Sequence, residues 1–134
     1  MPLMLVDTDV LSAIMRRRQL ATAKAAVYLS VHSQFSFSII TRYEILRGLK
    51  AKNATKQIAA FERLCASSNV IALTDAIVVK AAEIYAELHK QGRLIGDADI
   101  LIAASALANG CGVVTNNEKH FERVPGLHIE NRLK

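Results

Sequence analysis

Apolar positions along the chain fall into three patterns: short solid runs, period-two alternation and helical spacing. Residues 3–6 form a short apolar run that reads as a buried strand. Helices are expected over 9–16 and 20–33. Residues 35–40 alternate polar with apolar and β-branched side chains and read as a second strand. A helix is expected to begin near Thr41 and run to about Lys52, followed by another over 54–67. Residues 70–73 read as a third strand. Thr74-Asp75 is an N-cap signal for a helix reaching Gln91, in which Ile77, Ala81, Ile84, Tyr85 and Leu88 recur at helical spacing. Gly92 ends it. Residues 97–109 form a helix apolar on nearly every side, and so deeply buried, closed by Gly110. Residues 113–115 read as a fourth strand and 127–130 as a short fifth.

Strands separated by helical stretches pair in parallel and carry helices on both faces. The expected fold class is therefore α/β: a central parallel sheet of about four to five strands flanked by helices on both faces. A length of 134 residues fits one domain over 1–134. There is no repeat or Pro/Gly-rich linker, and the only prolines are at positions 2 and 125.

Composition changes this picture in two ways. With 51% hydrophobic residues, 5% aromatic and no Trp, the core must be built from Ala, Leu, Ile and Val, without a platform for stacking bases. A net charge of +5 and a pI near 9.5 suit a polyanion or an acidic protein partner. Cys65 and Cys111 have neither metal-ligand nor disulfide-framework spacing and read as core residues of a reducing compartment. The first residues lack a basic region and a long apolar run, and no segment reaches the length of a membrane span. A cytoplasmic location and no membrane partner are expected.

Sites in parallel sheets form beyond the carboxyl ends of the strands. Asp7 follows the first strand directly. Glu44 lies in the first turn after the second. Asp97 and Asp99 open the buried helix, and Thr115, Asn116, Asn117 and Glu118 end or follow the fourth strand. Each acid also has a local reading. Asp7 or Asp9 would cap the first helix, and Asp9, beyond the strand end, is assigned mainly to such a role. Thr41 and Glu44 fit a capping box. Asp97 would cap the buried helix, and Asp99 would offset its dipole.

Together, the local readings weaken. Carboxylates beside buried elements cost several kcal/mol unless compensated, and several at one edge repel one another. A divalent cation resolves both problems. Oxygen-only donors point to Mg²⁺, with Mn²⁺ as a substitute, and away from zinc. The four histidines, at 32, 89, 120 and 128, are scattered and form no ligand pair. Such a cation on a basic protein suits phosphodiester chemistry, with flanking phosphates held by Arg42, Arg47 and Lys50 or by Arg16, Arg17 and Arg18. An ordinary solvated helix face is the alternative for either basic group.

The motifs also resemble a known family. Leu5-Val6-Asp7-Thr8-Asp9-Val10-Leu11-Ser12 resembles the opening of a PIN domain. Thr41-Arg42-Tyr43-Glu44-Ile45-Leu46-Arg47-Gly48 resembles its second acidic motif, and 95–104 its third. Val114-Thr115-Asn116-Asn117, followed by Phe121 and Val124-Pro125-Gly126-Leu127, resembles its closing segment. Order and spacing match over essentially the whole chain, and the likeness is greatest to the VapC toxins of type II toxin–antitoxin pairs. The resemblance implies a PIN-like fold, Mg²⁺-dependent endoribonuclease activity on RNA, often tRNA, and a homodimer silenced by a VapB-type antitoxin. It carries the family's metal ligands to Asp7 and Asp99 and its remaining catalytic acid to Glu44. Asp97 is then a cap or an outer acid. Many PIN domains have a further Asp where this chain has Asn116. Asparagine offers a carbonyl but no charge, so one metal ion is expected, and Glu118 is a candidate for the missing carboxylate.

Two alternatives remain. Asp7-Thr8-Asp9-Val10 also fits the nucleophile motif of haloacid-dehalogenase-like phosphatases, although Glu44 has no role there. A PIN-like shell that binds RNA or an antitoxin without cleavage is the other.

Overall fold

The computed structural model describes residues 3–17 and 19–131. Its elements follow the order β1 (Met4–Val6), α1 (Thr8–Met15), α2 (Gln19–His32), β2 (Ser36–Ser38), α3 (Ile39–Ala51), α4 (Thr55–Ala66), β3 (Asn69–Ile71), α5 (Asp75–Lys90), α6 (Asp97–Ala108), β4 (Gly112–Val114), α7 (Glu118–Phe121) and β5 (Ile129–Glu130). All five strands pair in parallel in the order β3-β2-β1-β4-β5. The expected α/β class and sheet are therefore observed.

Helices cover both faces, each over its own apolar cluster. Leu5 and Val113 face α5 and α6, meeting Ile77, Ile84, Leu88, Ile100 and Ile102. Met4, Val6 and Val114 face the opposite way, toward Val10, Leu11, Tyr28, Phe37 and Phe61. Period-two alternation along β1 divides these sets. Phe37 and Phe61 are both fully buried, with ring centroids 6.5 Å apart. Each contributes about 1.5–3 kcal/mol by leaving water. Helix α6 buries Ile100 and every residue from Ile102 to Ala106, as its unbroken apolar character requires.

One boundary differs from expectation with consequences for the site. The second strand stops at Ser38, and α3 begins at Ile39 instead of near Thr41. Ser38 is extended, and its hydroxyl accepts the Ile40 N–H at 3.0 Å, so Ser38 is the N-cap. The β-branched residues Ile39 and Ile40 imitate a strand, but the cap outweighs their propensity. Thr41 therefore lies inside the helix, fully buried, and makes no capping box with Glu44. The third strand also starts earlier, at Asn69. The Thr74 cap is as expected: its hydroxyl accepts the Ile77 N–H at 3.2 Å. Gly92 follows α5 at φ +65°, a conformation glycine adopts without strain.

Candidate active site

The carboxyl ends of β1 and β4 meet at Asp7. Its N–H bonds the Val114 carbonyl at 2.9 Å, continuing the ladder between these strands. Asp7 is extended and is the N-cap of α1: its Oδ1 accepts the Thr8 N–H at 2.8 Å. Its Oδ2 accepts the Thr115 hydroxyl at 2.8 Å. Thr115 is fully buried, and its Oγ1 in turn accepts the Asn117 N–H at 2.8 Å. Asp7 is only 5% exposed. Burial raises its pKa most, followed by repulsion from Asp9. The Thr115 and Thr8 donors oppose both, Asp99 adds further repulsion, and the result is a pKa of about 7. A cap alone would not need this crowding, since a cap works as well at the surface.

Asp9 is drawn into the same cluster, although its sequence position reads as a helix cap, the role that Asp7 holds. It lies within hydrogen-bond reach of the Val10 and Asn116 backbones and of the Asp7 carboxyl, and burial raises its pKa. Its Oδ1 is buried without a hydrogen-bond partner, and so is Oδ1 of Asn116.

Asp99 enters from the first turn of α6. Its Oδ2 lies 2.9 Å from Nδ1 of His120, which is also 2.7 Å from Nδ2 of Asn117. With its proton, Nδ1 donates to Asp99; without it, Nδ1 accepts from Asn117. His120 is therefore part of the site, contrary to the view of the histidines as scattered. Its position three residues beyond Asn117, in a short helix at this sheet edge, is the signal that could have found it.

Glu44 is joined to the cluster through Thr8, whose hydroxyl donates to Glu44 Oε1 at 2.7 Å and lies 3.2 Å from Thr41 Oγ1. Arg47 approaches Glu44 Oε2 at 3.8 Å and lies over the Tyr43 ring. A groove of about 350 Å³ opens beside Thr8 and Glu44, with Arg16 and Lys52 among its walls.

Other expected residues lie elsewhere. Asp97 does not cap α6: Gly96 holds that position without a side-chain bond. Asp97 is exposed and lines a groove with Ala81, Ala82 and Tyr85 of α5. Glu118 opens α7, but the carboxylate acting most strongly on Asp7 is Asp9. Arg42 is taken up by an ion pair with Glu62. Arg18 lies outside the described residues. Cys65 and Cys111 are free thiols, the second buried.

The donors that meet here are carboxylate, amide and hydroxyl oxygens, the set that hard divalent cations take. The two orphaned oxygens of Asp9 and Asn116 are buried acceptors without donors, as a cation would require. Among the described residues, no group of three or more Asp, Glu, His or Cys side chains is already arranged to hold a metal ion. The fit therefore rests on the donor chemistry and on these two unmet acceptors.

Residues 4–127 match the PIN domain model. The chain is 32% identical over 130 residues to ribonuclease VapC1 of Methanocaldococcus jannaschii, covering 96% of this chain and 87% of the relative. It is 32% identical over 128 residues to ribonuclease VapC2 of Haemophilus influenzae, covering 95% and 96%. A DNA-bound VapBC crystal structure from Salmonella typhimurium superposes with a TM-score of 0.87 at 27% identity, covering 98% of this chain and 99% of that one. The chain belongs to the PIN-domain family and, within it, to the VapC ribonucleases. The PIN match replaces the phosphatase reading of the first acidic motif.

Proposed function

We propose that this chain is the Mg²⁺-dependent endoribonuclease toxin of a VapBC-type pair, acting in the cytoplasm on tRNA or another structured RNA. The observation that carries this reading is Asp7. It is a buried carboxylate at a strand end, crowded by two other acids, in a chain of the VapC family. Supporting the RNA class, a relative from Shigella flexneri, 35% identical over 95 residues, is named a tRNA(fMet)-specific endonuclease; the match covers 70% of this chain and 72% of that relative. The partner is a VapB-type antitoxin, in keeping with VapBC complexes among the structural relatives. A homodimer belongs to the same reading, with the exposed Val78, Val79 and Tyr85 of α5 as apolar surface for it.

Asp7 and Asp99 are the residues that would hold Mg²⁺, or Mn²⁺ in its place. When bound, the cation lowers the pKa of a water and neutralises charge on the scissile phosphate. Thr115 and the Thr8 N–H fix the orientation of the Asp7 carboxylate. Glu44, fixed by Thr8, orients the attacking water or takes its proton. Arg16, Lys52 and Arg47, around the Glu44 groove, attract the flanking phosphates.

The test is cleavage of total RNA by the purified protein, with products mapped to name the target. Chelation should abolish cleavage and added Mg²⁺ restore it. Asp7→Asn should lower the rate at least about a hundredfold, because loss of metal charge stabilisation is worth several kcal/mol. Cleavage by Asp7→Asn at the wild-type rate would overturn the assignment. Metal-free RNA binding without cleavage would favour the non-catalytic shell.

A further inference from the structure

We propose that the groove between α1, α3 and α4 is the track for one strand of the RNA beside the cleavage point, with Gly48 as its floor and Arg16 and Lys52 as the far anchors of the strand's phosphates. The inference rests on the ribonuclease reading above and names the part of the molecule that decides what fits next to Glu44.

Three observations carry it. First, the fold gives no reason for a glycine at position 48. Gly48 lies inside α3, where glycine weakens a helix relative to alanine. Its φ is not in the positive range, unlike that of Gly92, Gly110 and Gly126. A Cβ added to it would meet no atom within 4 Å. The missing side chain leaves room in the groove instead, where Gly48 is exposed. Glycine in such a place lets a ligand come close to the backbone. Second, the groove has a direction. Thr8, Ser12 and Arg16 line it at four-residue intervals from α1, and Glu44, Gly48 and Lys52 do the same from α3. The hydrogen bond from Thr8 to Glu44 joins the two rows at the catalytic end, and each row closes on a cation at its helix C-cap. Eight helical residues rise about 12 Å and stacked nucleotides about 3.4 Å each, so the groove takes about three nucleotides of one strand leading away from Glu44. Third, the two cations are uncommitted. Among the described residues neither Arg16 nor Lys52 is in an ion pair, whereas Arg42 pairs with Glu62 and Arg47 approaches Glu44. A positively charged groove that follows the backbone is a general means of holding a single strand. Because this groove begins at Glu44, the chain that enters it is the cleaved strand itself.

The test is binding of a short, fluorescein-labelled single-stranded RNA of mixed sequence, followed by anisotropy in Mg²⁺. The protein is the full chain carrying Asp7→Asn, so that binding is read without fast cleavage. Adding Gly48→Leu should weaken binding about tenfold or more, because the strand must leave the floor and give up its phosphate anchors. Gly48→Ala should weaken it less. Both variants should melt at or above the temperature of their parent, since a better helix former replaces glycine. Weaker binding by a protein that melts no lower is a combination that a purely structural role of Gly48 does not produce. Arg16→Gln/Lys52→Gln should lower the slope of log affinity against log salt by about 1.4, two phosphate contacts at about 0.7 each. Unchanged binding in Gly48→Leu, or an unchanged salt slope in the double variant, overturns the proposal. Displacement of the RNA by polyglutamate as readily as by unlabelled RNA would make the groove a site for acidic peptide and overturn it too. If the chain with Asp7 intact cleaves total RNA and Gly48→Leu in that chain cleaves it equally well, the ribonuclease reading stands and only the groove falls. If that chain neither binds nor cleaves RNA, both fall.

Discussion

The two ends of β1 are built on opposite terms. At the start, the Tyr28 hydroxyl reaches from α2 and serves both backbone groups of Met4, accepting the N–H at 3.2 Å and donating to the carbonyl at 3.3 Å. The polar groups of that buried residue are met within the chain, as is usual for protein interiors. At the other end, three residues on, Asp7 and Asp9 are crowded against each other and against Asp99, and one carboxylate oxygen has no partner. One strand thus ends in a self-sufficient core on one side and, on the other, in crowded carboxylates with a buried oxygen left unmet. The difference shows where the fold carries strain for chemistry: stability is supplied at the first end and partly given up at the second.

The contrast can be broken by experiment. The largest effect expected is on pH dependence. Asp7 titrates near 7 in the folded protein and near 3.8 when unfolded. The folded state therefore holds the extra proton between those values, and the stability linked to it is complete below the unfolded pKa and lost as pH rises through 7. Thermal unfolding of metal-free protein should show a loss on the order of 4 kcal/mol from about pH 4 to about pH 8, much reduced in Asp7→Asn, where the burial of Asp9 still contributes. Mg²⁺ should flatten the profile by standing in for the proton. A metal-free profile identical in wild type and Asp7→Asn would remove the distinction between the two ends.

Thr115→Val comes next. It deletes the donor to Asp7 and the acceptor of the Asn117 N–H while keeping the shape of the side chain. Denaturant unfolding should show a loss of about 1–3 kcal/mol, and Mn²⁺ binding should weaken as well. Tyr28→Phe gives the smallest effect, about 1 kcal/mol from the Met4 groups left without their hydroxyl. Its Mn²⁺ affinity should match wild type. A change in metal affinity in Tyr28→Phe would mean that the two ends of β1 are coupled.

Much of the molecule follows from local pattern. The order of elements, the long amphipathic α5 with its Thr74 cap, and the apolar α6 come from spacing within one segment, and the structure agrees to within a few residues. The start of α3 does not, because Ile39 and Ile40 favour strand by propensity while the Ser38 hydroxyl decides the matter by capping. Asp7 and Asp99 could be singled out because one follows a strand and the other opens a helix, a relation visible along the chain; Glu44, read as first-turn, lies in the second turn of α3.

The sequence by itself determined the alternation of strands and helices, the two-sided parallel sheet and the acids at its edge, since periodicity records which side of its own element a residue occupies. Only the tertiary structure decided which of those acids act together. Thr115 and Asp7 are 108 residues apart and meet through the pairing of β1 with β4. The same pairing brings Asn116 to Asp9, turns His120 onto Asp99, and leaves Asp97 on the α5 side of α6. Burial and the absence of a donor are properties of the packed whole. Asp9 therefore reads as a helix cap along the chain and becomes part of a crowded cluster, with one buried oxygen left without a partner, once the strands are in register.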